Sequence, residues 1–314
     1  MSDFGQTSRW TLEMSQNPTS VLHADDPALF KALIKRPKVA WPTISLLLGA
    51  YAIFGISTFA YFEEAWPLLC TILFNAGASY MAFTVAHEAT HSSVSSNQRV
   101  NDWAGRAGML LLEPGPFFAV FRYIHMQHHK FTNDHEKDPD TYCGRGPAWL
   151  LPLRWLTIDF VYFSNYLKRE NFRKRPKREK VEFALSLVFA IGVVTMMTLL
   201  GWLELYLLLF FLPTRLAKLF IVFVFDFLPH HPHEVSAKED RYRSTSNRVG
   251  MEWFLTPALL SQNYHLVHHL YPTVPFYRYL KIWNARRTYH ASKNPAIVDT
   301  FALKPKKRGG LETG

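Results

Sequence analysis

The sequence predicts an all-α integral membrane protein with four transmembrane helices in two hairpins and a helical cap on the cytoplasmic side. Two observations support this fold class. The apolar residues of the 314-residue chain fall in long uninterrupted runs, and clusters of lysine and arginine lie beside two of those runs. A helix needs roughly 20 apolar residues to cross a hydrocarbon core about 30 Å thick. Four segments reach that length, and we expect residues 1–314 to form one domain.

The four predicted spans pair into hairpins because only short turns separate the members of each pair. The spans cover about residues 41–62, 65–86, 181–200 and 203–228. Glu63 and Glu64 form the first turn, and Gly201 and Trp202 form the second. Residues 110–120 and 150–167 are too short or too polar to span, and we expect them to lie in the membrane interface.

The placement of lysine and arginine predicts the orientation. Basic residues concentrate in cytoplasmic segments of membrane proteins. Here they precede the first span, in residues 31–38, and the third, in residues 168–180, whereas neither short turn contains one. We therefore predict that the three polar regions are cytoplasmic: residues 1–40, 87–180 and 229–314.

Composition argues against several other classes of protein. The formal net charge of +10 does not indicate nucleic-acid binding, because the basic residues flank the spans and no nucleic-acid-binding motif is present. Cys70 and Cys143 are too few and too differently placed for a disulfide framework, which favours a reducing compartment. The N-terminal residues lack the pattern of a cleaved signal peptide, so we do not expect export.

Eight of the 14 histidines fall in three short boxes. The boxes are HEATH (His87, His91), HMQHH (His125, His128, His129) and HLVHH (His265, His268, His269). Helical positions i, i+3 and i+4 share a face, so each box directs two or three imidazoles toward one point. All three boxes belong to the same predicted side of the membrane. Eight imidazoles exceed the ligands that one ion accepts, which predicts two metal ions, although imidazole suits iron, copper, zinc and nickel alike.

The segment FDFLPHHPHE at the end of the fourth span offers a ninth ligand. We expect His230 to be that ligand, with His233 in reserve and His231 less suitable. Asp226, four residues earlier, could orient an imidazole or a metal-bound water. The alternative is a group of histidines that caps a helix C-terminus without any metal.

Three further residues could orient metal-bound imidazoles through hydrogen bonds. Asp138 and Asp140 follow the second box and Asn263 precedes the third, although Asp138-Pro139-Asp140 is equally consistent with an ordinary turn. Glu88 faces away from His87 on a helix and is assigned no role. Beyond the metal centre we identify no catalytic residue.

Arg215 and Lys218 lie near the middle of the fourth span, where a lipid-facing charge would cost at least about 2.5 kcal/mol. They are therefore expected to face the protein interior or to snorkel. One hypothesis is that Arg215 binds the polar headgroup of a substrate while the metals oxidise the far part of its chain. The alternative is an internal pair with Glu204 or Glu182.

The three boxes around two hairpins resemble those of the membrane fatty-acid desaturase and hydroxylase superfamily. The likeness covers about residues 84–277 and includes HHKFTN, a following DPD, and NYHLVHHLYPTVPFY, which is similar to the desaturase ending HHLFPxxPxY. The three-residue spacing of the first box fits bacterial-type members better than animal acyl-CoA desaturases. This points to a bacterial inner membrane with the active site facing the cytoplasm.

The resemblance implies two iron ions held by the eight box histidines, with O2 as co-substrate and a lipid chain as substrate. The family's additional ligand corresponds only loosely to residues 226–233. Neither a haem-binding HPGG nor a cysteine cluster occurs in the sequence, so electrons are expected from a separate ferredoxin-like or cytochrome-like protein. The basic run at residues 168–180 could dock such a carrier, or could rest on anionic lipid headgroups.

The leading functional hypothesis is desaturation of a fatty acyl or similar chain. The alternatives are hydroxylation of a fatty acyl or carotenoid chain and a desaturase-like decarboxylation that forms a terminal alkene. A non-enzymatic membrane metal-binding or transport protein is a further alternative, but transport sites usually lie near the bilayer midplane, and these histidines do not.

Overall fold

A computed structural model describes residues 25–305 and confirms the all-α membrane fold. In chain order the helices are α1 (Pro27–Leu33), α2 (Trp41–Phe62), α3 (Leu68–Thr90), α4 (Gln98–Met109), α5 (Phe118–Phe131), α6 (Leu151–Leu156), α7 (Ile158–Leu167), α8 (Arg169–Arg173), α9 (Lys177–Leu199), α10 (Leu203–His230), α11 (Glu252–Ala258), α12 (His265–Leu270), α13 (Tyr279–Ala285) and α14 (Arg287–Ala291). Two short strands, β1 (Ser246–Val249) and β2 (Ala296–Asp299), pair in parallel. The N-terminal residues without a signal-peptide pattern, and the basic C-terminal tail from residue 306, lie outside the described part.

Four helices are long and apolar enough to cross a membrane: α2, α3, α9 and α10. Their bounds differ from the predicted spans by a few residues. Pro67 and Pro176 immediately precede α3 and α9, at positions where proline starts a helix readily because a first-turn N–H needs no helical partner. At the other end, α3 and α10 continue past the apolar run, so that His87 and His230 lie within these helices.

The fourth span, α10, contains two π-helical segments, Leu207–Phe211 and Val222–Phe227. A proline follows each of them, at Pro213 and Pro229. Proline has no backbone N–H and its ring clashes with the carbonyl four residues earlier, so the preceding turn widens. The second π segment lies directly below His230, and such segments are frequent at functional sites.

Helices α4 and α5 form a re-entrant hairpin beside α3. The Ser79 hydroxyl, near the middle of α3, donates a 2.6 Å hydrogen bond to the Leu111 carbonyl in the turn that joins α4 to α5. Leu111 also packs against Ala78 and Ala82 of α3. Ser79 is 11 residues, about 16 Å, from the end of α3 at Thr90. The turn is therefore deeper in the membrane than the interfacial position expected for residues 110–120.

Ion pairs join this hairpin to the start of α9. Arg106 of α4 lies 2.7 Å from Glu182, and Asp102 of α4 accepts from Arg178 at 2.9 Å and from Arg122 of α5 at 2.8 Å. Within the basic run at residues 168–180, at least Arg178 thus has an internal partner.

The chain after α10 folds over the same end of the bundle. Its core is formed by α12 and α13, with Leu266, Val267 and Ile282 fully buried, and α1 packs against α13. The β1–β2 ladder joins the two ends of this segment, with Ser246 opposite Ala296 and Val249 opposite Asp299. The two strands were not predicted, and they are the only β ladder within residues 25–305.

Candidate metal centre

The three histidine boxes converge at one end of the four spans. The last turn of α3 carries His87, and His91 follows it as the C-cap residue. The second box lies on α5 and the third on α12, and His230 is the last residue of α10. Most of these side chains are buried, and His129 and His269 are partly exposed.

One group of imidazoles comprises His87, His91, His125 and His268. One ring nitrogen of each lies within 4.8 Å of the others. The closest pair is His91 Nε2 and His125 Nε2, 2.8 Å apart. His129 closes this group from the side, with its Nε2 2.9 Å from His268 Nε2 and 3.1 Å from His125 Nε2.

A second group lies beside the first and comprises His128, His230 and His269, again with ring nitrogens within 4.8 Å of one another. His265 Nε2 is 3.1 Å from His269 Nε2, so this imidazole joins the second group. The His129 ring stacks on His269 with centroids 4.2 Å apart and lies between the two groups. All nine predicted imidazoles are therefore collected in two adjacent sets.

This arrangement leaves buried nitrogen atoms without hydrogen bonds. Both ring nitrogens of His87 and Nε2 of His230 have no partner among the described residues. A buried polar atom without a partner costs about 1–3 kcal/mol, so such atoms are usually satisfied by an ion or water. The donor set fits two metal ions, since nine nitrogen ligands in two groups match two coordination spheres and exceed one.

Burial keeps most of these imidazoles neutral, which is the form that binds metal. Burial, with a smaller contribution from neighbouring imidazoles, lowers the pKa of His91 to about 3. Burial and neighbouring imidazoles also hold the pKa well below its usual value in five other box histidines: His125, His129, His265, His268 and His269.

His128 differs because carboxylates stand behind it. Burial opposes its charged form, but Asp138 and Asp140 outweigh burial and raise the pKa of His128 to about 9. Its Nδ1 lies 3.0 Å from Asp138 Oδ1 and 3.3 Å from Asp140 Oδ2. The backbone N–H groups of Asn133 and Asp140 donate to Asp138, and the hydroxyl of Tyr162 donates to Asp140 at 2.6 Å. The structure thus places both predicted aspartates directly behind one imidazole.

Three other imidazoles have partners that were not expected from the sequence. The Tyr279 hydroxyl lies 2.9 Å from His268 Nδ1 and donates to Glu88 Oε1 at 3.2 Å. Because the hydroxyl proton goes to Glu88, its oxygen accepts from Nδ1–H, and His268 Nε2 keeps its lone pair toward the first group. Glu88 does face away from His87, but it anchors this link and also accepts from the Phe276 N–H.

Gln262 and Ser244 act in the same way on the second group. Gln262 Oε1 lies 2.8 Å from His265 Nδ1, and the Ser244 carbonyl lies 3.3 Å from His230 Nδ1. The three-residue interval between Gln262 and His265 was a usable signal in the sequence. No spacing connects Ser244 to His230 or Tyr279 to His268.

Two predicted orienting residues lie elsewhere. The Asn263 amide donates to the Thr256 hydroxyl at 3.2 Å and does not contact an imidazole. The residue before it, Gln262, contacts the third box instead, through His265. Asp226 makes no hydrogen bond to His230, whose outer nitrogen faces Ser244 instead. The Asp226 carboxylate is buried, and its charge adds to those that raise the pKa of His128.

The three histidines at and after the end of α10 lie in different surroundings. His230 is part of the second group, whereas His233, the reserve ligand, has its Nδ1 3.1 Å from Asn133 Oδ1 and its Nε2 3.9 Å from Cys143 Sγ. His231 is half-buried and packs on Phe227. Only His230 of the three therefore belongs to the two groups of imidazoles.

The Arg215 guanidinium, predicted to bind a substrate headgroup or to pair internally, has partners within the protein. Its guanidinium donates to Asp159 Oδ2 at 2.6 Å and to the Leu156 carbonyl at 3.0 Å. The internal pair thus forms with Asp159 and not with Glu204 or Glu182. Lys218 donates to the same Asp159 oxygen at 2.7 Å and pairs with Glu113 at 2.6 Å.

A largely apolar cavity leads from the histidines toward the middle of the membrane. Phe83 and Phe121 line its upper part and contact the first group, with Phe121 stacked on His125 at 5.6 Å and Phe83 at 6.2 Å from His87. Asp226 reaches the same space beside the second group. Phe83, Phe121 and Asp226 therefore lie between the cavity and the imidazoles, and no described histidine lines it.

Comparison with known proteins gives a family model described as fatty acid desaturase, which matches residues 64–300. The dihydrorhizobitoxine desaturase of Bradyrhizobium elkanii is 26% identical over 253 residues, covering 72% of this chain and 70% of that protein. A beta-carotene ketolase of a Paracoccus species is 28% identical over 240 residues, covering 75% of this chain and 88% of that protein. A temperature-sensitive sn-2 acyl-lipid omega-3 desaturase (ferredoxin) of Arabidopsis thaliana is 23% identical over 327 aligned residues, covering 88% of this chain and 68% of that protein.

Proposed function

Because the chain belongs to the fatty acid desaturase family, we propose that it is an O2-dependent di-iron oxidoreductase that introduces a double bond into a fatty acyl or similar lipid chain. The family and its relatives make it a membrane oxidoreductase of lipid or carotenoid chains. One observation supports the finer proposal most strongly. Nine imidazoles form two adjacent groups beside one end of an apolar cavity, behind Phe83 and Phe121.

Each part of the chain has a defined task in this proposal. The box histidines and His230 hold the iron ions, which supply the oxidising power for an unactivated C–H bond when O2 and two electrons are provided. Asp138, Gln262, Ser244 and Tyr279 accept the outer N–H of an imidazole and so fix its tautomer and orientation. The apolar cavity excludes water and aligns the chain beside the metals.

Tyr162 gives the centre a hydrogen-bonded connection to the cavity. It lines the cavity, and its hydroxyl donates to Asp140, which stands behind His128. Burial, more than the neighbouring Asp138, raises the pKa of Asp140 to about 6, against the opposing effect of His128. A carboxyl with this pKa is mostly ionised at neutral pH, so Asp140 Oδ1 can accept the hydrogen bond from the Tyr162 hydroxyl.

The electrons come from a separate carrier in this proposal. The sequence has no haem-binding HPGG and no cysteine cluster, and its two cysteines are unpaired and far apart. One of the relatives has ferredoxin in its name, which supports a ferredoxin-like donor for this chain. We place the centre on the cytoplasmic face of a bacterial inner membrane, since the basic residues 31–38 and 168–180 lie at the same ends of the spans as the histidines.

Hydroxylation or ketone formation on a carotenoid-like chain is the second candidate. The beta-carotene ketolase relative supports it, because the aligned region covers 88% of that protein. Both reactions begin by removing hydrogen from a C–H bond. The outcome then depends on how the cavity holds the chain, and differences well below 1 Å are decisive.

Lipid and hydrocarbon profiling of cells that express the chain tests the proposal. We expect new unsaturated chains with the unaltered protein, none with His128→Ala, and normal products with His135→Ala, which changes an exposed histidine outside both groups. Hydroxylated or ketonic products would support the second candidate instead. Identical profiles for the unaltered chain and His128→Ala would contradict both.

A further inference from the structure

The cavity below the histidines has polar groups only at its two ends. Tyr162 and Asp226 lie at the end near the histidines, and Glu113, Asp159 and Lys218 lie at the other end. All other lining residues are apolar. Lys218 and Asp226 both belong to α10 and are eight residues apart, which corresponds to about 12 Å along a helix.

The polar far end is a compact group of balanced charges. The Lys218 ammonium lies 2.6 Å from Glu113 and 2.7 Å from Asp159, and Arg215 lies 2.6 Å from Asp159. Two cations thus face two carboxylates at membrane depth. The cavity is lined by Lys218, Glu113 and Asp159 but not by Arg215.

The Lys218 ammonium has one more N–H donor than it uses within this group. An ammonium group offers three N–H donors, and two of them are used by Glu113 and Asp159. No third acceptor is found for it within residues 25–305, although the side chain is buried and borders the cavity. An unused donor in such a place is costly, and a ligand oxygen would satisfy it.

We propose that Lys218 and Glu113 bind an uncharged oxygen group at the polar end of the substrate, while its apolar part extends along the cavity toward the histidines. This rests on the proposed function, because it takes the cavity to be the substrate site. A hydroxyl fits both partners, since it accepts from Lys218 and donates to Glu113. The two cations and two carboxylates already balance, so an ionised ligand of either sign would leave an uncompensated charge in a buried site.

Access to this site does not require passage through water. Glu113 also lines a second, wider groove between the hairpins, together with Phe54, Phe189, Met197 and Trp202. The groove is almost wholly apolar. A molecule dissolved in the bilayer therefore meets Glu113 from the lipid side, at the point where the two spaces adjoin.

The proposal predicts substrate class and position of attack together. The substrate is an apolar chain or terpenoid with a hydroxyl or carbonyl group. Oxidation occurs at a fixed distance from that oxygen, on the order of the 12 Å between Lys218 and Asp226.

Binding of three probes tests this inference without any turnover. Purified full-length protein in lipid nanodiscs is titrated with hexadecanol, hexadecane and palmitic acid at neutral pH. We expect hexadecanol to bind about 10-fold more tightly than either of the others, the effect of one well-made buried hydrogen bond. Equal binding of all three would overturn the inference.

A matched pair of variants separates recognition from structural support. Glu113→Gln removes one of the two carboxylates that repel an anion, so it should weaken hexadecanol binding and strengthen palmitate binding. Glu182→Gln disrupts another ion pair, with Arg106, that borders neither space, and it should leave the order of the three ligands unchanged. The same change of order in both variants would count against a binding role for Glu113.

If Glu113→Gln does not fold, the comparison of the three probes on the unaltered chain still decides the matter. Failure of the two proposals is also distinguishable. A chain that oxidises lipid but binds the three probes equally refutes the inference alone, whereas a chain without iron or O2 uptake refutes the proposed function.

Discussion

At the residue scale, the candidate metal centre consists of the imidazoles and of the groups that hold them from behind. Asp138, Gln262, Ser244 and Tyr279 come from four separate segments, and each meets the outer nitrogen of one ring. Partners of this kind fix the tautomer that leaves Nε2 free for a metal. Their loss should therefore reduce metal affinity without removing a ligand.

Asp138→Asn should lower metal affinity about 10- to 100-fold, as loss of an outer-shell carboxylate typically does. Competition with a chelator, followed by metal analysis, measures the effect. Asp134→Asn is the control, because Asp134 is partly exposed and bonds only to nearby residues such as Lys137. Equal metal retention in the two variants would show that Asp138 does not support His128.

Tyr279→Phe breaks the link from Glu88 to His268 while keeping the aromatic ring. We expect weaker metal retention, with a loss of about 10-fold, because His268 Nδ1 loses its acceptor and Glu88 loses a donor. Tyr277→Phe, two residues away and without a bond to a histidine, should behave as the unaltered chain. A Tyr279→Phe protein with unchanged affinity would contradict this role.

The sequence predicts the nine imidazoles but only part of their surroundings. Box spacing identifies eight of them, since helical periodicity alone brings i, i+3 and i+4 together. Asp138 and Asp140 were found because they follow the second box closely. Tyr279 and Ser244 could not be found, because their contacts depend on how distant segments pack over the bundle and leave no pattern in the chain.

At the scale of single elements, the re-entrant hairpin determines the shape of the site. Helix α4 lies against α3 so closely that a Cβ at Gly108 would be 2.6 Å from the Ala82 carbonyl oxygen. This approach brings the following turn, with Glu113, to the far end of the cavity. Small residues permit such packing between helices in a membrane.

Gly108→Ala should lower the free energy of unfolding by about 1–3 kcal/mol, the usual cost of overpacking. The added Cβ would clash with a backbone oxygen, which cannot move away by a rotamer change as a side chain can. Gly77→Ala on α3 is a matched control, since its added Cβ meets nothing within 4 Å. Thermal unfolding in nanodiscs measures both. A Gly108→Ala protein as stable as Gly77→Ala would show that α4 and α3 are not in close contact.

The four spans were predictable because uninterrupted apolar runs of sufficient length are typical of transmembrane helices and rare in water-soluble domains. The hairpin of α4 and α5 was not. Residues of α4 such as Asn101, Asp102 and Arg106 are polar, which suggests a surface segment, but in the structure they bond to neighbouring residues and to Arg122, Arg178 and Glu182. A hydropathy profile counts these residues as polar although they pair internally, so it does not reveal that the segment lies within the membrane.

At the scale of the whole molecule, the two hairpin turns lie at one end and all nine imidazoles at the other. The turns at Glu64 and Gly201 contain no lysine or arginine, and the opposite end carries the basic residues 31–38 and 168–180. From the positive-inside rule we predict that the histidines face the cytoplasm. A cytoplasmic centre has access to soluble electron carriers.

Cysteine labelling tests this orientation. In a Cys70→Ser background, Glu64→Cys should react with a membrane-impermeant thiol reagent in intact cells, because Glu64 lies in an exposed hairpin turn. Lys137→Cys, also exposed but at the histidine end, should react only after permeabilisation. Cys143 is buried and should remain unlabelled. The reverse pattern would place the metal centre outside the cell.

The central claim is that two groups of imidazoles hold two iron ions, and metal analysis of the purified full-length chain tests it most directly. We predict two irons per chain in the unaltered protein and in His135→Ala. Removing one ligand from each group, in His125→Ala combined with His230→Ala, should leave the chain with little or no iron. A single metal ion per chain, or two zinc ions without O2 uptake in the presence of an electron donor, would contradict the account.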